Sequence, residues 1–582
     1  MAKKLIQSPK LWLIIAALLL TIGAVSVMIW KNYTTDSNQH KNFSYNSLVN
    51  DSVLTELATT SAPIDRSHLA DGLTPPTNKW FSGFALQKDP KPGYSRPNGF
   101  KPTDNGFEFS LPKITATQKV ISGPHSADII VGIESADSYK ITYYDELLVE
   151  LTYFDSSNNP ITTVKLASGL PYVYVRASRD TTISFNGETI QHDSWTSINS
   201  NGVNYGASRN SQNGRISLAK DSNVTFFSAP NEEDLKKVAA HANTEVETTS
   251  VSYEHEDEHF MTTFKYITKQ DKPLLYSRLP HHQADTESEV TYQSILGDIT
   301  TEVGNQFSYS SPSVPVANSL DLGGITSQQR DLLLSQLKND ISDFAPVDDT
   351  YFGGKQLYRM AQLLSIASQL EADDLALEAK AKLKNELETW LEIGKSDPKS
   401  FLYDPDMKGI VGNKASFGSD KEFNDHHFHY GYFIYAAAVL AQHDKGFLNT
   451  HKEAINLLVA DIANYNSGED LPLRRVFDPY AGHSWASGIV PFADGNNQES
   501  TSEAINAWTG VVLWARQIEN SQLETQANWM LSQEVLSTRY YWLGLENNTP
   551  DYLSGFTSPL AFVVGVASAT TQPFSATNPT PN

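Results

Sequence analysis

Side chains able to transfer protons are concentrated between Glu422 and Glu503. Asp425 directly precedes an apolar run that predicts a helix, and it occupies the position where an N-cap residue would stand. Glu499 and Glu503 lead into a second apolar run, and because they are four residues apart we expect them to share one helix face. Neighbouring carboxyl groups serve as general acid and general base when their surroundings separate their pKa values. The two segments therefore predict acid–base chemistry at the N-terminal ends of two helices.

Three histidines follow Asp425 directly: His426, His427 and His429. We expect the His429 ring, four residues after Asp425, to hydrogen-bond to the Asp425 carboxyl group and tune its proton affinity. His426 and His427 are expected to point elsewhere and to be structural. A metal site is the alternative, because two histidines and three carboxylates would satisfy zinc or a di-iron centre. The Glu-x-x-His spacing of di-iron bundles is absent from these segments, so we expect neither metal nor cofactor.

Six ordered stretches of the chain combine glycine, aromatic and polar residues in distinctive motifs. They are Pro76–Phe81 (PTNKWF), Gly169–Val173 (GLPYV), Leu279–His282 (LPHH), Phe423–Tyr432 (FNDHHFHYGY), Arg475–Gly488 (RVFDPYAGHSWASG) and Asp494–Ala504 (DGNNQESTSEA). Together they resemble glycoside hydrolase family 81, the endo-β-1,3-glucanases, from about Ala62 to Leu545. The resemblance implies hydrolysis of β-1,3-glucan, a laminarin-like neutral polysaccharide, without a cofactor.

The resemblance also implies roles for the carboxyl groups. Asp425 is then the general acid of an inverting reaction, in which a second carboxylate activates water and the two groups stand about 6.5–9.5 Å apart. We favour Glu499 as that base and keep Glu503 as a second candidate, because the sequence does not rank the two glutamates. In the simpler alternative, Asp425 only caps its helix and the glutamates form a solvated helix face.

Further residues of these motifs are candidates for contacts with sugar rings. Tyr432, Phe477 and Trp485 are candidate stacking platforms, because the C–H faces of glucose pack against aromatic rings. Plain core packing is the alternative for Trp485. The candidate partners of sugar hydroxyl groups are Asp478, His483, Asn496 and Gln498.

Composition restricts the partners of the chain. A formal net charge of -23 over 582 residues disfavours nucleic acids and anionic surfaces, because their phosphates would be repelled. The chain has no cysteine, so disulfides and thiolate metal ligands are excluded. A hydrophobic fraction of 40% and an aromatic fraction of 11% are sufficient for sizeable apolar cores. A neutral polymer is compatible with this composition.

The N-terminus carries Lys3, Lys4 and Lys10 before an uncharged run from Leu11 to Trp30. The run matches the length of about 20 apolar residues that crosses a bilayer. The lysines place the N-terminus in the cytoplasm by the positive-inside rule. We therefore predict that residues 1–31 form a cytoplasmic tip and a signal anchor, with a cleaved signal peptide as the alternative. The body of the chain is extracellular in both cases, either membrane-anchored or secreted.

The rest of the chain predicts a multidomain β + α protein. Residues 32–61 are polar and indicate a flexible spacer. Residues 62–312 combine short alternating runs with frequent turns, which predicts a β-sandwich. Residues 313–350 are expected to form the small α/β linker domain that the resemblance implies. Residues 351–582 carry helical periodicity, and the resemblance identifies them with an (α/α)6-type barrel.

The predicted barrel is short at its C-terminal end. Only about seven helices can be placed between Thr326 and Leu536, fewer than a full (α/α)6 barrel needs. Beyond Tyr552 the sequence turns rich in Pro, Thr and Asn and has no helical period. We therefore expect an incomplete barrel. An alternative function follows from it, that of a catalytically impaired cell-surface protein that binds β-glucan.

Overall fold

The computed structural model describes residues 47–283, 287–317, 319–466, 470–545, 550–556, 563–566 and 570–573. The described residues from Val49 onward form one compact unit. The predicted membrane anchor and most of the predicted spacer lie outside the described residues. None of the helices that the structure describes is long and apolar enough to cross a membrane.

The last part of the predicted spacer is folded. Asn50 caps a short helix, Asp51–Glu56 (α1), through its side chain. Leu54 within this helix and Leu57 after it are buried. Burial of these two leucines holds the segment on the protein, so the spacer predicted for residues 32–61 does not extend to residue 61.

The β-rich region contains two large antiparallel sheets, preceded by the short helix Ser82–Ala85 (α2). One has six strands, in spatial order Gly93–Tyr94 (β1), Gly99–Thr103 (β2), Gly106–Ser110 (β3), Ile129–Ile133 (β6), Thr181–Phe185 (β11) and Arg215–Leu218 (β15). The other has eight, in spatial order Glu188–Gln191 (β12), Thr196–Ser200 (β13), Val203–Ala207 (β14), Asn223–Ala229 (β16), Tyr172–Ala177 (β10), Pro160–Ala167 (β9), Leu148–Phe154 (β8) and Ser138–Tyr144 (β7). The two sheets share one apolar core, in which the rings of Phe107 and Phe226 lie 6.0 Å apart.

A second layer covers the other face of the eight-stranded sheet. Val173 and Val175 of β10 belong to the sandwich core, whereas Tyr172 and Tyr174 belong to a second core, because successive strand residues point to opposite faces. The second layer comprises helix Glu232–His241 (α3) and two three-stranded sheets, Val246–Glu256 (β17) with His259–Thr268 (β18) and Gln306–Pro312 (β22), and Leu274–Arg278 (β19) with Gly297–Gly304 (β21) and Thr291–Ser294 (β20). The eight-stranded sheet therefore packs against apolar cores on both of its faces.

The segment 313–350 differs from the predicted α/β linker domain. Its described residues form one helix, Ser327–Ser342 (α4), and no strand. Thr326 and Gln329 form a capping box at the start of this helix. The nearest strands, β17 to β22, precede residue 313 and belong to the second layer. Alternation of polar and apolar residues identifies a strand but not the sheet that it joins, which is why the predicted border differs.

Seven helices lie between residues 326 and 542 in the described part of the chain, where the sequence predicts about seven between Thr326 and Leu536. After α4 they are Phe352–Gln369 (α5), Asp373–Trp390 (α6), His426–His443 (α7), Lys445–Ala463 (α8), Thr501–Gln517 (α9) and Ser521–Tyr541 (α10). Short hairpins interrupt them, formed by Phe401–Asp404 (β23) with Gly409–Gly412 (β24) and by Phe477–Asp478 (β25) with His483–Ser484 (β26).

Two strands near the C-terminus join the β-rich region, although residues 351–582 were assigned to the barrel. Val563–Val566 (β27) and Thr570–Pro573 (β28) extend a sheet that contains Ile121–Ser122 (β5) and Thr115–Ala116 (β4). Thr571 pairs with Ile121. The partner strand is remote in sequence, so local periodicity does not reveal this pairing.

Helices α7 and α9 run parallel and touch through glycine. Gly431 of α7 faces Ala507 of α9, and four residues further along α7 the backbone of Tyr435 faces Gly510. A Cβ atom on Gly431 would lie 2.6 Å from the Ala507 Cβ and 2.7 Å from its Cα. This close packing brings the N-terminal ends of the two helices, and the carboxyl groups beside them, to the same end of the molecule.

We predict that Gly431→Ala destabilises the protein. The added methyl group meets backbone and cannot be accommodated by moving one flexible side chain, so we expect a loss of about 1–3 kcal/mol. The control is Gly446→Ala on α8, where the nearest atom within reach is the Asp444 side-chain oxygen at 3.1 Å. Thermal unfolding of both variants measures the difference. Equal midpoints for the two variants would contradict the importance of the contact.

Candidate active site

Asp425 stands at the N-cap position of α7, as predicted, but it does not cap the helix. Its side chain makes no capping hydrogen bond, and its backbone adopts the left-handed conformation with φ 62°. The residue is only 8% exposed, and its Oδ1 atom has no hydrogen-bond partner among the described residues. An unpaired buried oxygen and a strained backbone both cost free energy. A purely structural cap does not account for this arrangement.

Three effects raise the pKa of the Asp425 carboxyl group well above its ordinary value. Burial contributes most, and the negative charges of Glu499 and Glu503 add to it. Asp425 therefore keeps its proton at a pH where an exposed aspartate has lost it. A carboxyl group with this property is suited to act as a general acid.

Glu499 lies before helix α9 and not on it, which corrects the prediction of a shared helix face. Ser500 caps the helix by accepting a hydrogen bond from the Glu503 amide, so α9 begins at Thr501. Glu499 has φ 60° and accepts a hydrogen bond from Asn497 Nδ2 at 3.0 Å. The residue is exposed overall, but surrounding protein partly desolvates its carboxylate, and together with the charge of Glu503 this raises its pKa.

Glu503 is held by two tyrosines. Its Oε1 atom accepts hydrogen bonds from the Tyr432 hydroxyl at 2.5 Å and from the Tyr351 hydroxyl at 3.0 Å. Tyr432 therefore contacts the carboxylate cluster, by which we mean Asp425, Glu499 and Glu503. It does so through its hydroxyl group and not through the ring face that was predicted to stack on sugar. Tyr351 was not singled out from the sequence, since it lies more than seventy residues before the Phe423–Tyr432 motif and forms part of none of the six motifs.

The side chains of His426 and His429 are buried and form hydrogen bonds inside the protein. The His429 ring hydrogen-bonds to Thr350 Oγ1 at 2.8 Å and not to Asp425, which corrects the prediction. Asp425 has left the helical conformation, so its side chain does not follow the helix face of His429. Burial lowers the pKa of His429 to about 3, so the ring is neutral. The His426 ring bonds to Asp461 Oδ2 at 2.6 Å.

The His427 ring is also buried, and its two nitrogens have no hydrogen-bond partner among the described residues. It lies near the rings of Phe428 and Trp508. In the part of the chain that the structure describes, no three His, Asp or Glu side chains are grouped so as to hold a metal ion.

All seven predicted substrate contacts are buried, including Tyr432, which is 5% exposed. Phe477 and Trp485 are 0% and 2% exposed, so their rings pack in the core and are not exposed platforms. The other four, Asp478, His483, Asn496 and Gln498, are also buried. Asp478 accepts the Trp485 indole N–H at 2.9 Å, and Gln498 donates to Glu534 at 2.8 Å. Local sequence does not encode burial, and these polar groups stabilise the loops.

The β-rich region braces the loops that carry the carboxyl groups. The Asn78 side-chain amide donates to the carbonyl oxygens of Phe423 at 3.1 Å and Ala486 at 3.2 Å. The buried Lys79 ammonium group donates to the carbonyl oxygens of Arg474 and Phe477 at 3.0 and 3.1 Å. Both residues belong to the PTNKWF motif, so this motif has a positioning role.

Comparison with known proteins assigns the chain to a family. The model of the glycosyl hydrolase family 81 C-terminal domain matches residues 325–566. A glucan endo-1,3-beta-D-glucosidase of Acetivibrio thermocellus is 30% identical over 526 residues, which is 83% of this chain and 67% of that protein. The chain belongs to glycoside hydrolase family 81.

Two further comparisons agree with this membership. A glucan endo-1,3-beta-D-glucosidase of Thermobifida fusca is 29% identical over 531 residues, 83% of this chain and 68% of that protein. The solved structure of a family 81 glycoside hydrolase from Clostridium thermocellum, determined as a mutant, superposes with a TM-score of 0.81 at 27% identity. That alignment covers 90% of this chain and 78% of the solved one.

In this family 81 chain, the buried Glu534 of α10 connects loops of the candidate active site. Its Oε1 accepts from Gln498 Nε2, next to Glu499, while its Oε2 accepts from the Ser484 amide at 2.9 Å and from Trp508 Nε1 at 3.2 Å. Burial outweighs these donors and raises the pKa of Glu534 to about 7. The sequence did not indicate this residue, because its partners lie far from it along the chain.

We predict that Glu534 makes stability depend on pH. Its pKa is raised on folding from 4.5 to about 7, so the folded protein holds the proton more tightly. This stabilisation is complete below pH 4.5 and is lost as the pH rises through about 7, a change of about 3 kcal/mol. Thermal unfolding of wild type and Glu534→Gln between pH 4.5 and 8 measures it.

The stability difference between wild type and Glu534→Gln should shift in favour of the variant as the pH rises. Glu524→Gln is the matched control, because Glu524 lies on the same helix with its side chain 33% exposed. A constant difference between wild type and Glu534→Gln over this pH range would contradict the assignment.

Proposed function

We propose that this chain is an endo-acting hydrolase of β-1,3-glucan. The observation that carries the proposal is the buried Asp425 carboxyl group, whose Oδ1 atom has no hydrogen-bond partner among the described residues and whose pKa is raised by burial and by the charges of Glu499 and Glu503. Hydrolysis of a glycosidic bond requires one carboxylic acid that is protonated near neutral pH and a second carboxylate that is ionised. The substrate assignment is supported by the relatives, which are named glucan endo-1,3-beta-D-glucosidases.

We further propose an inverting mechanism. Asp425 donates its proton to the glycosidic oxygen as the bond to the anomeric carbon breaks. Glu499 takes a proton from a water molecule, whose oxygen attacks the anomeric carbon from the opposite face of the ring. Glu499 is the better base because it is exposed and accepts one side-chain hydrogen bond, from Asn497. Glu503, fixed by Tyr351 and Tyr432, acts through its negative charge.

The wider setting belongs to the same proposal. The described helices would form part of an (α/α)6-type barrel, with α7 in its interior because this helix is buried almost throughout. The carboxyl groups then lie at the mouth of the barrel, at the N-terminal ends of α7 and α9. We also propose that the chain acts outside the cell, because the uncharged run at residues 11–30 matches an export or anchor segment.

Asp425→Asn and Glu499→Gln are each expected to reduce release of reducing ends from linear β-1,3-glucan by about 10²–10⁴-fold. Both variants should stay folded, with unfolding midpoints no lower than that of wild type, and should bind the glucan. With wild-type protein, NMR of the anomeric protons should show the α-anomer first. First appearance of the β-anomer would exclude inversion. Wild-type protein that binds the glucan without cleaving it would instead support the binding-only alternative.

Glu503→Gln is expected to move the alkaline limb of the kcat/KM profile to lower pH. The charge of Glu503 raises the pKa of Asp425, so its removal lowers the pH at which the general acid loses its proton. Glu422→Gln is the control, because it removes a carboxylate close in sequence that does not contribute to this shift. An unchanged limb in Glu503→Gln would refute the coupling. Complete loss of activity in Glu503→Gln, but not in Glu499→Gln, would exchange the roles of the two glutamates.

A further inference from the structure

Two exposed phenylalanine rings lie beside the carboxylate cluster. Phe352 is 45% exposed and Phe417 is 57% exposed. The Phe417 ring centroid lies 5.0 Å from that of Tyr351 and 6.1 Å from that of Phe352. Tyr351 in turn donates its hydroxyl hydrogen to Glu503. We call these three residues the aromatic platform, and it is continuous with the proposed catalytic centre.

The platform is held in place by hydrogen bonds from its backbone. Asp349 Oδ1 accepts from the amides of Tyr351 at 3.0 Å and Phe352 at 2.8 Å. The same oxygen accepts from the Ser416 hydroxyl at 3.2 Å, which ties the loop of Phe417 to the start of α5. One carboxylate therefore fixes both segments that carry the exposed rings.

A second connection joins the platform to the general acid. Phe417 has φ 57°, a conformation that costs free energy for a residue with a bulky side chain. Its carbonyl oxygen accepts a hydrogen bond from Asn424 Nδ2 at 3.0 Å, one residue before Asp425. A single exposed phenylalanine is common in folded proteins. Strained backbone is concentrated at functional sites, however, so an exposed phenylalanine on strained backbone next to the proposed general acid Asp425 indicates a ligand-binding position.

We propose that the aromatic platform is a subsite that binds one glucosyl ring of the β-1,3-glucan, immediately beside the bond that is cleaved. The inference rests on the proposed function and adds a binding site to it. The C–H face of a pyranose packs on an aromatic ring, and a neutral sugar tolerates the nearby carboxylates, which would repel an anionic ligand. Lys355 Nζ lies over the face of the Tyr351 ring, 4.9 Å from its centre, and covers that face. Phe352 and Phe417 therefore supply the surface on which the sugar ring stacks.

The test is steady-state hydrolysis of linear β-1,3-gluco-oligosaccharides of increasing length by the full chain. Phe417→Ala should raise KM by about tenfold and change kcat far less, because the ring contributes binding and not proton transfer. Phe352→Ala should have an effect in the same direction. Phe417→Tyr keeps the ring face and should restore the wild-type KM, which separates loss of stacking from loss of the fold. Leu377→Ala, at an exposed apolar residue on α6, is the control.

The outcomes distinguish the two proposals. If wild-type protein cleaves the oligosaccharides and both alanine variants match Leu377→Ala, the platform is refuted and the proposed function stands. If Phe417→Tyr is as impaired as Phe417→Ala, the ring does not act by stacking and the platform is likewise refuted. If wild-type protein does not cleave β-1,3-linked substrates, the proposed function fails and the subsite fails with it.

Discussion

The backbone contact between α7 and α9 is the constraint on which the site depends. Gly431 and Gly510 have no side chains, so the two helices can approach closely at these positions. The helices also run in the same direction. Both N-terminal ends therefore reach one end of the molecule, where Asp425 precedes α7 and Glu503 lies in the first turn of α9. Acidic groups beside helix N-termini also gain from the helix dipole, which offsets part of their mutual repulsion. A looser helix pair would separate these carboxyl groups.

The loops of the site hold unusual backbone conformations in a fixed geometry. Three of its residues, Phe423, Asp425 and Glu499, have positive φ angles, although none is glycine. Such conformations persist only where surrounding contacts determine them. Here those contacts come from buried polar groups, with Asn78 between two loops and Glu534 beneath them. The protein thus gives up folding free energy to hold these charged groups in place. The groups then need to move little when the substrate binds.

The sequence motifs located the carboxyl groups, and helical periodicity gave the number of described helices, because both signals are local. Local signals failed where two local preferences competed or where a partner was remote. Ser500 is a better N-cap than Glu499, so the helix starts later than the spacing of the glutamates suggested. Phe477 and Trp485 have the chemistry of sugar platforms but are buried by contacts that no local pattern encodes. Tyr351 and Glu534 join the site only through tertiary folding.

The hydrogen bonds from Asn78 and Lys79 to the loops of the candidate site limit how far the two regions can be separated. These donors belong to the β-rich region, and the carbonyl oxygens that they hold belong to the helical region. The helical region therefore depends on the β-rich region for the positions of its loops, even though the family's C-terminal domain model matches residues 325–566 by themselves. Recombination that transferred only this region to another protein would move the carboxyl groups without their support.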